Sequence, residues 1–489
     1  MATFNLVRNS RVFFTTNVDP NTGKVLLGGT ITAANTKELQ VLDGFSFSQA
    51  TNADTINISE AGSAPVRGQR SFNTSLGNVE FSFSTYVRPA KPSTTVNAEE
   101  SVLWNALLSD AEIAAASQVS PVITTPTASY APSTGRLTLT GTGAAATGLT
   151  VGQVYIMSGV TGIGASEYNT AVEFVSTSGG TTLVFDYLTA PTAAVVSGAF
   201  TAIKLNKSAW TDNLAIAADT AVPVAYGQVS SAVSNKNQLQ KFGMYFVVDN
   251  IIYAIHNCAM DQAVIDFGLD GIATVAWTGK ATEIQQLPDT ADISNTNPGV
   301  FSGAGNSTGT ATPRVLTAGY ITNKLSTVKL ISNIGGVGGT TYTLALTGGS
   351  LTVANNITYV TPANLGVVNF PIGYFTGTRD ISGSITAYLR TGTNGTAEIL
   401  NNMLTNAATS IDPKFLLQID VGGSAAATKV ELRLDAAMLQ IPTIDAQAVM
   451  STTINFTAQG SEAVQSSTSA YDIENTNELR VRYFSPTTV

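Results

Sequence analysis

Short runs in which apolar and polar residues alternate recur along the chain between clusters of glycine, asparagine and proline. In VEFSFSTYVR, residues 79–88, one face carries the apolar side chains of Val79, Phe81, Phe83 and Val87. Successive side chains of a β-strand point to opposite faces of the sheet, so a period of two predicts a strand with one buried face. Runs at 415–421 and 431–435 show the same alternation. The chain is therefore predicted to be mainly β.

Two segments instead repeat their apolar residues at helical spacing. The first, AEESVLWNALL, follows Asn97, which is a suitable N-cap residue, and carries Glu99 and Glu100 where the positive end of the helix dipole favours acids. The second is TAEILNNML, residues 396–404. We expect one short helix at each place.

The order of these elements indicates an internal duplication. VEFSFSTYVR at 79–88 matches ISGSITAYLR at 381–390, and VLWNALL matches ILNNMLT after each of them. Farther on, 263–281 matches 442–460, so that Ile265-Asp266 meets Ile444-Asp445. Strand, helix and late strand recur in one order with the same buried face, which predicts two similar β domains.

The two copies differ in the connection from the helix to the next strand. The second copy needs about ten residues there, whereas the first carries an insertion of roughly 120, too long for a structureless loop. Residues 118–205 of this insertion contain several short apolar runs separated by Gly and Ser turns, which predict a small β domain. The segment 286–312 is rich in Pro, Gly, Ser and Thr and is predicted to be a linker.

Composition argues against several classes of function. Only 12% of the residues are charged, the net charge is −9, and the chain has one histidine and one cysteine. These counts exclude a disulfide framework and a Cys/His zinc site, and they give no broadly basic surface for gripping nucleic acid. The N-terminal residues lack the apolar core of a secretory signal, and no run of 18 apolar residues predicts a membrane span.

Candidate catalytic residues do not form a constellation. His256 lies in an alternating strand without an evident Ser or Asp partner, and Cys258 fits a small buried residue. Glu99 and Glu100 fit a helix N-terminus better than a pair of glycosidase acids. We therefore expect no enzyme, no metal and no cofactor.

Longer motifs resemble a known family. LVRNSRVFF, TINISEAGSAPVRGQRSFN and VEFSFSTYVRP resemble the first barrel of the large tail tube proteins of long-tailed bacteriophages, and GYITNKLSTVKL, LTVANNITYVTP, PIGYFTG and ISGSITAYL resemble the second. The resemblance implies two fused tube barrels, homotrimeric rings that mimic hexamers, and stacking of the rings into the conduit for DNA. It further implies a structural protein of the virion tail, assembled in the host cytoplasm, with other tail proteins at the tube ends and transient, non-specific passage of DNA.

On this resemblance the chain divides into four parts. The expected bounds are 1–117 with 206–285 for a discontinuous first tube barrel, 118–205 for the inserted domain, 286–312 for the linker and 313–489 for the second tube barrel. The family's relatives often carry a decoration domain elsewhere, commonly at the C-terminus, so the position of this insertion departs from the pattern.

Two sets of residues are candidates for assembly contacts. The resemblance places Glu60, Arg67 and Arg70 in a loop that stacks on an adjacent ring, although the same residues also fit a solvated surface turn. The non-core faces of the duplicated strands carry short polar side chains that we expect to line the lumen, namely Glu80, Ser82, Ser84, Ser382, Ser384 and Thr386. Facing a neighbouring barrel is the alternative for this second set.

Two other functions stay open at this point. A structural surface or capsid-decoration protein would suit the Thr/Ser/Gly-rich insertion but not two equivalent barrels. A carbohydrate-binding tailspike is less favoured, because Trp104 and Trp277 lie in apolar stripes rather than in exposed loops.

Overall fold

The computed structural model describes about two thirds of the chain. The described residues are 10–27, 30–42, 44–57, 69–90, 97–108, 118–119, 124–132, 135–142, 149, 154–161, 168, 171–178, 180–187, 191, 200, 203–206, 210–216, 224–230, 239–248, 251–269, 271–287, 301, 303–305, 320–332, 341–365, 367–409, 415–422, 428–441, 444–445, 451–459 and 478–484. As predicted, these residues form mainly antiparallel β-structure, and two α-helices lie among them.

The first part of the chain contributes six strands and a helix. They are β1 (Arg11–Thr15), β2 (Thr36–Leu39), β3 (Ser46–Asn57), β4 (Gln69–Tyr86), β5 (Pro89–Ala90), β6 (Asn97–Ala98) and α1 (Ser101–Leu108). The insertion follows, with β7 (Gln118–Val119), β8 (Thr124–Ala131), β9 (Arg136–Thr142), β10 (Val154–Ser158), β11 (Ala171–Ser178), β12 (Thr182–Tyr187) and β13 (Lys204–Asn206).

The next strands return to the first copy and lead into the second. They are β14 (Trp210–Ile216), β15 (Val224–Ser230), β16 (Phe242–Val248), β17 (Ile251–Gly268), β18 (Thr274–Ala281), β19 (Glu283–Gln286), β20 (Thr327–Ser332), β21 (Thr341–Leu344) and β22 (Leu346–Ala354). The remainder are β23 (Thr358–Val360), β24 (Gly373–Phe375), β25 (Asp380–Tyr388), α2 (Thr396–Thr409), β26 (Phe415–Val421), β27 (Lys429–Leu439), β28 (Ile444–Asp445), β29 (Ser451–Ala458) and β30 (Arg480–Phe484). A single 3₁₀ turn, Asn323–Leu325, precedes β20.

Equivalent strands of the two copies pair in the same order. In the first copy β3 pairs with β4, β4 with β18 and β18 with β17, and in the second β22 pairs with β25, β25 with β29 and β29 with β27. The pairing register of the two copies nevertheless differs by two residues. Thr85 and Val275 lie opposite each other in the first copy, but their matches in the second copy, Ala387 and Ile454, do not, because Ile454 lies opposite Ile385. A shift of two residues keeps every side chain on its predicted face.

The copies share one continuous sheet and one core. Residues Gln262–Gly268 of β17 pair with Gly348–Ala354 of β22, so the sheet runs from β3 through both copies to β29. Three Phe side chains in it cover glycines on the neighbouring strand, in the pairs Phe81/Gly279, Phe267/Gly349 and Phe456/Gly383. At each glycine an added Cβ would lie within 2.6 Å of the phenyl ring. The same contact of a Phe ring over a glycine therefore recurs within each copy and at the junction between them.

The inserted domain is a separate unit of packing. Seven strands form its sheet in the order β7-β13-β10-β11-β12-β9-β8, and its buried residues, including Phe174, Phe185 and Tyr187, make a cluster of their own. The first and last strands of the insertion, β7 and β13, pair with each other, with Gln118 opposite Asn206. The pair lies next to the expected bounds of 118–205, which stay a prediction.

Each helix starts for a local reason. The prediction that Asn97 caps α1 is wrong, because Asn97 pairs with Ala90 in a two-stranded ribbon and the helix begins four residues later. The Glu100 carbonyl instead accepts hydrogen bonds from the amides of Leu103 and Trp104. At α2 the Glu398 carboxylate accepts the Asn394 amide proton at 2.6 Å, the type of contact that stabilises a helix start.

Two stretches make contacts that their predicted assignments did not anticipate. Within 286–312, Phe301 is buried and stacks on Phe13 with ring centroids 4.1 Å apart. β15 pairs with the C-terminal strand β30, which pairs with β27 of the second copy. The backbone of 224–230 thus extends the sheet of the second copy, although 206–285 was assigned to the first barrel. The domain bounds themselves remain predictions.

Candidate assembly surface

The six polar residues expected to line the lumen lie on one face of the continuous sheet. Ser82, Ser84, Ser382, Ser384 and Thr386 are half-buried and Glu80 is exposed, whereas their neighbours Phe81, Phe83, Ile381 and Ile385 are in the core. The register runs from Ser84 across Ala276, Val264 and Thr352 to Ser382 and Thr457. The sheet therefore brings the two sets, one from each copy, onto a single surface, which we call the polar sheet face.

Hydroxyl groups bond to one another across this face. Ser46 Oγ lies 2.8 Å from Ser82 Oγ, and Thr386 Oγ1 lies 3.1 Å from Thr453 Oγ1. Such pairs satisfy short polar side chains locally and leave the surface flat and weakly charged.

The charge on the polar sheet face is mainly negative. Along the paired parts of its strands, the described charged side chains are the acids Asp54, Glu80, Asp261, Asp266 and Asp380 and the bases Arg70 and Lys280. Lys280 is engaged, because its ammonium group lies 2.9 Å from Asp261 Oδ2 and donates to the Ile357 carbonyl at 2.8 Å. A depression of about 360 Å³ lies beside this ion pair. The face therefore offers carboxylates and hydroxyls, and its described lysine is already paired.

The charged loop expected to stack rings is only partly described. Glu60 and Arg67 lie outside the described residues, and Arg70 is exposed on β4 opposite Ile56. The assignment of these three residues stays a prediction.

The candidate catalytic residues have structural surroundings. His256 is 2% exposed; its Nδ1 accepts the Val25 amide proton at 3.1 Å and its Nε2 lies 3.0 Å from Gln285 Oε1. Burial lowers the pKa of His256, so the neutral ring is favoured. Cys258 is fully buried, and burial raises the pKa of its thiol well above the usual value, which disfavours the reactive thiolate.

Glu100 belongs to a buried group that sequence patterns did not reveal. Its Oε1 accepts the Tyr483 hydroxyl proton at 2.7 Å, and Trp104 Nε1 donates to the same hydroxyl at 2.7 Å. The Trp104 ring meets Trp277 edge to face, with centroids 5.0 Å apart. We call Glu100, Trp104, Trp277 and Tyr483 the aromatic joint. Tyr483 lies on β30, so the joint ties the first-copy helix to a strand on the sheet of the second copy.

The described residues contain neither a metal-ligand cluster nor a membrane-spanning helix. They contain no group of three or more His, Cys, Asp or Glu side chains placed to hold a metal ion. None of their helices has the length and apolar character needed to cross a membrane.

Comparison with known proteins gives a relative that aligns with most of the chain. No family model matches the chain. Over 463 residues the chain is 24% identical to the tail tube protein pb6 of Escherichia phage T5, covering 93% of this chain and 72% of that protein. The alignment spans both copies and supports the resemblance to large tail tube proteins that the sequence motifs indicated.

Proposed function

We propose that this chain is a structural tail tube protein that assembles with itself into stacked rings, forming the conduit through which phage DNA passes. The observation that carries the proposal is the sheet that runs unbroken through both copies and presents one polar face. Similarity to a tail tube protein over most of the chain supports it. The role is structural rather than catalytic, within a virion tail assembled in the host cytoplasm, with other tail proteins at the tube ends.

Ring closure follows from the internal junction between β17 and β22. Among the described residues β3 pairs with β4 alone, so its other edge is open. β22 occupies the corresponding place in the second copy, and its outer edge is filled by β17. The part of β17 that pairs with β22 contains Ile265-Asp266, which match Ile444-Asp445 of β28. Repeating this junction between chains would therefore pair the open edge of β3 with the segment around β28 in a neighbouring molecule. Three chains would then close six barrels into one wall without free edges.

The polar sheet face is proposed to line the lumen. Lysine and arginine side chains bind phosphates with release of counterions, so a basic wall would retard DNA. The excess of carboxylates over ammonium groups on the described part of this face avoids such retention. Its rows of Ser and Thr add no positive charge.

Lysines introduced on the polar sheet face should slow DNA delivery. We expect tubes carrying Ser82→Lys and Ser384→Lys to assemble, because both serines are half-buried at the solvent side of the sheet. Phage containing them should eject DNA more slowly than wild type, and added salt should reduce the difference. The matched control is Ser82→Thr with Ser384→Thr. Ejection at the wild-type rate by assembled lysine tubes would remove these residues from the lumen.

The inserted domain is proposed to lie outside the tube wall. Its first and last strands, β7 and β13, pair with each other, with Gln118 opposite Asn206, and the second copy has no equivalent insertion. Replacing 118–205 by a short Gly/Ser bridge should therefore leave ring formation intact in negative-stain micrographs. A deletion variant that folds, as judged by circular dichroism, yet forms no rings would place the domain in the wall.

Electron microscopy of the purified protein tests the proposed function. Tubes or threefold rings are expected. Elongated trimers would favour a tailspike, and persistent monomers would favour a decoration protein.

A further inference from the structure

Two adjacent strands of the second copy carry a cluster of buried charged side chains on the face turned away from the shared core. Asp420 on β26 lies directly opposite Glu431 on β27, and Lys429 precedes Glu431 by two residues on the same face. Lys429 is 5% exposed and Glu431 is 3% exposed, whereas their neighbours Ile419 and Val430 belong to the core. Lysine and glutamate are almost never buried to this degree unless they are paired. These side chains are therefore held against one another instead of being solvated.

The polar atoms of this cluster lie close together. Lys429 Nζ is 3.1 Å from Asp420 Oδ2. The side-chain amide of Gln418 contacts both carboxylates, because its Nε2 donates to Asp420 Oδ1 at 3.2 Å and to Glu431 Oε2 at 3.2 Å. Groups held about 3–3.5 Å apart are near the geometry from which they react. The nitrogen of Lys429 thus lies next to the carboxyl group of Asp420, and Gln418 links that carboxyl group to Glu431.

Apolar side chains occupy the corresponding face of the first copy. There β1, β16 and β17 pair in the same order as β20, β26 and β27 in the second copy. Their face turned away from the shared core carries Phe13, Tyr245 and Ile252, which belong to an apolar cluster. A buried ion pair is often no more stabilising than apolar side chains of similar volume. The fold can therefore fill this face without charges, which favours a chemical role for the charges of the second copy.

We propose that Lys429 and Asp420 join in an intramolecular isopeptide bond, with Glu431 carrying the proton that the reaction has to move. Transfer of one proton from the ammonium group to Asp420 first leaves a neutral amine and a neutral carboxylic acid. Nζ of Lys429 then attacks Cγ of Asp420, and Glu431 takes a proton from this nitrogen and delivers it to the departing hydroxyl group. One Nζ–Cγ amide bond forms, one C–O bond breaks and one water molecule leaves. Glu431 is again a carboxylate at the end, so the reaction needs no oxidant or other reactant.

The surroundings of Asp420 favour its reactive form. Burial raises the pKa of this carboxyl and the charge of Glu431 acts in the same direction, whereas Lys429 and Gln418 act in the opposite one. A neutral carboxylic acid accepts a nucleophile more readily than a carboxylate does, so a raised pKa favours attack at Cγ. The bond would tie β26 to β27, the strand that also pairs with the C-terminal strand β30.

Mass spectrometry of the purified full chain tests the proposal. Trypsin cuts after lysine and arginine but not after a lysine whose side chain forms an amide, so the wild-type digest should contain 415–433 as one peptide, uncut after Lys429 and lighter by one water. Its tandem mass spectrum should lack fragments from breaks between 420 and 429, because the new bond closes a ring there. Separate peptides 415–429 and 430–433, each of full mass, would overturn the proposal. Neither result depends on whether the chain forms tubes.

Three variants, each checked for folding by circular dichroism, separate the reaction from the buried charges. Lys429→Arg keeps a cation but cannot form the amide, so it should retain its full sequence mass. Glu431→Gln keeps both reacting groups and should lose water at least about a hundredfold more slowly than wild type in samples taken during cell-free synthesis. The matched control is Lys329→Arg, because Lys329 lies opposite Gln418 but is exposed, and this variant should lose water as wild type does. Loss of water from folded Lys429→Arg, or at the wild-type rate from folded Glu431→Gln, would contradict the assigned roles.

Discussion

Replacement of Trp104 by alanine is expected to lower the free energy of unfolding by about 3–5 kcal/mol, the usual cost of removing a large buried aromatic side chain. Trp104 is fully buried, packs against Trp277 and donates a hydrogen bond to Tyr483. The substitution would leave a cavity at the point where helix α1 meets the C-terminal strand β30. It would also deprive the Tyr483 hydroxyl of its donor.

Urea denaturation of unassembled protein, followed by circular dichroism, measures this loss. Leu404→Ala on α2 is the matched control, because Leu404 is 54% exposed and should cost less than about 0.5 kcal/mol. A Trp104→Ala protein as stable as this control would mean that the aromatic joint does not hold the two copies together.

Stability is also expected to fall as the pH rises from about 4.5 to about 7, through the titration of Glu100. Burial, the largest cause, raises the pKa of this carboxyl from 4.5 to about 7. The folded protein then holds the proton more tightly than the unfolded chain, so the stabilisation is fully present below pH 4.5 and is lost by pH 7. This difference in pKa between the folded and unfolded states corresponds to about 3 kcal/mol of unfolding free energy.

Several neighbours act on the same carboxyl. The Tyr483 hydroxyl and the backbone amides of Glu100 and Arg88 favour the ionised form, whereas the charge of Glu99 disfavours it. Glu100→Gln keeps an acceptor for Tyr483 and removes the titration, so its unfolding free energy should vary less between pH 4.5 and 7 than that of wild type. Equal pH dependence in the two proteins would exclude Glu100 as the source.

Local patterns were sufficient to predict several strands, among them β4, β25, β26 and β27, and both helices. The alternation in 79–88 gave the correct buried face because β4 has one face in the core and one face at the surface. The insertion was predicted from a difference in connection length, and the pairing of Gln118 with Asn206 is consistent with its expected extent. Glu80, Ser82 and Ser84 were assigned to the non-core face because they alternate with the apolar residues of the strand. A shift of two residues in pairing register between the copies does not change the face on which a side chain lies.

Long-range contacts were not predictable in this way. Nothing in the residues around Tyr483 signals that its hydroxyl meets Glu100, because the two are 383 positions apart. The pairing of β17 with β22, which joins the two copies, was not predictable either. Each of these strands has the alternating sequence of an ordinary half-buried strand, which does not indicate its partner. The N-cap at Asn97 failed because the ribbon with Ala90 competes for the same backbone groups.

Counting the chains in one ring tests the central claim most directly. Native mass spectrometry of isolated rings, or a cryo-EM reconstruction of a tube, should give three chains per ring with six barrels around the axis, since each chain supplies two copies on one continuous sheet. Six chains per ring would contradict the account.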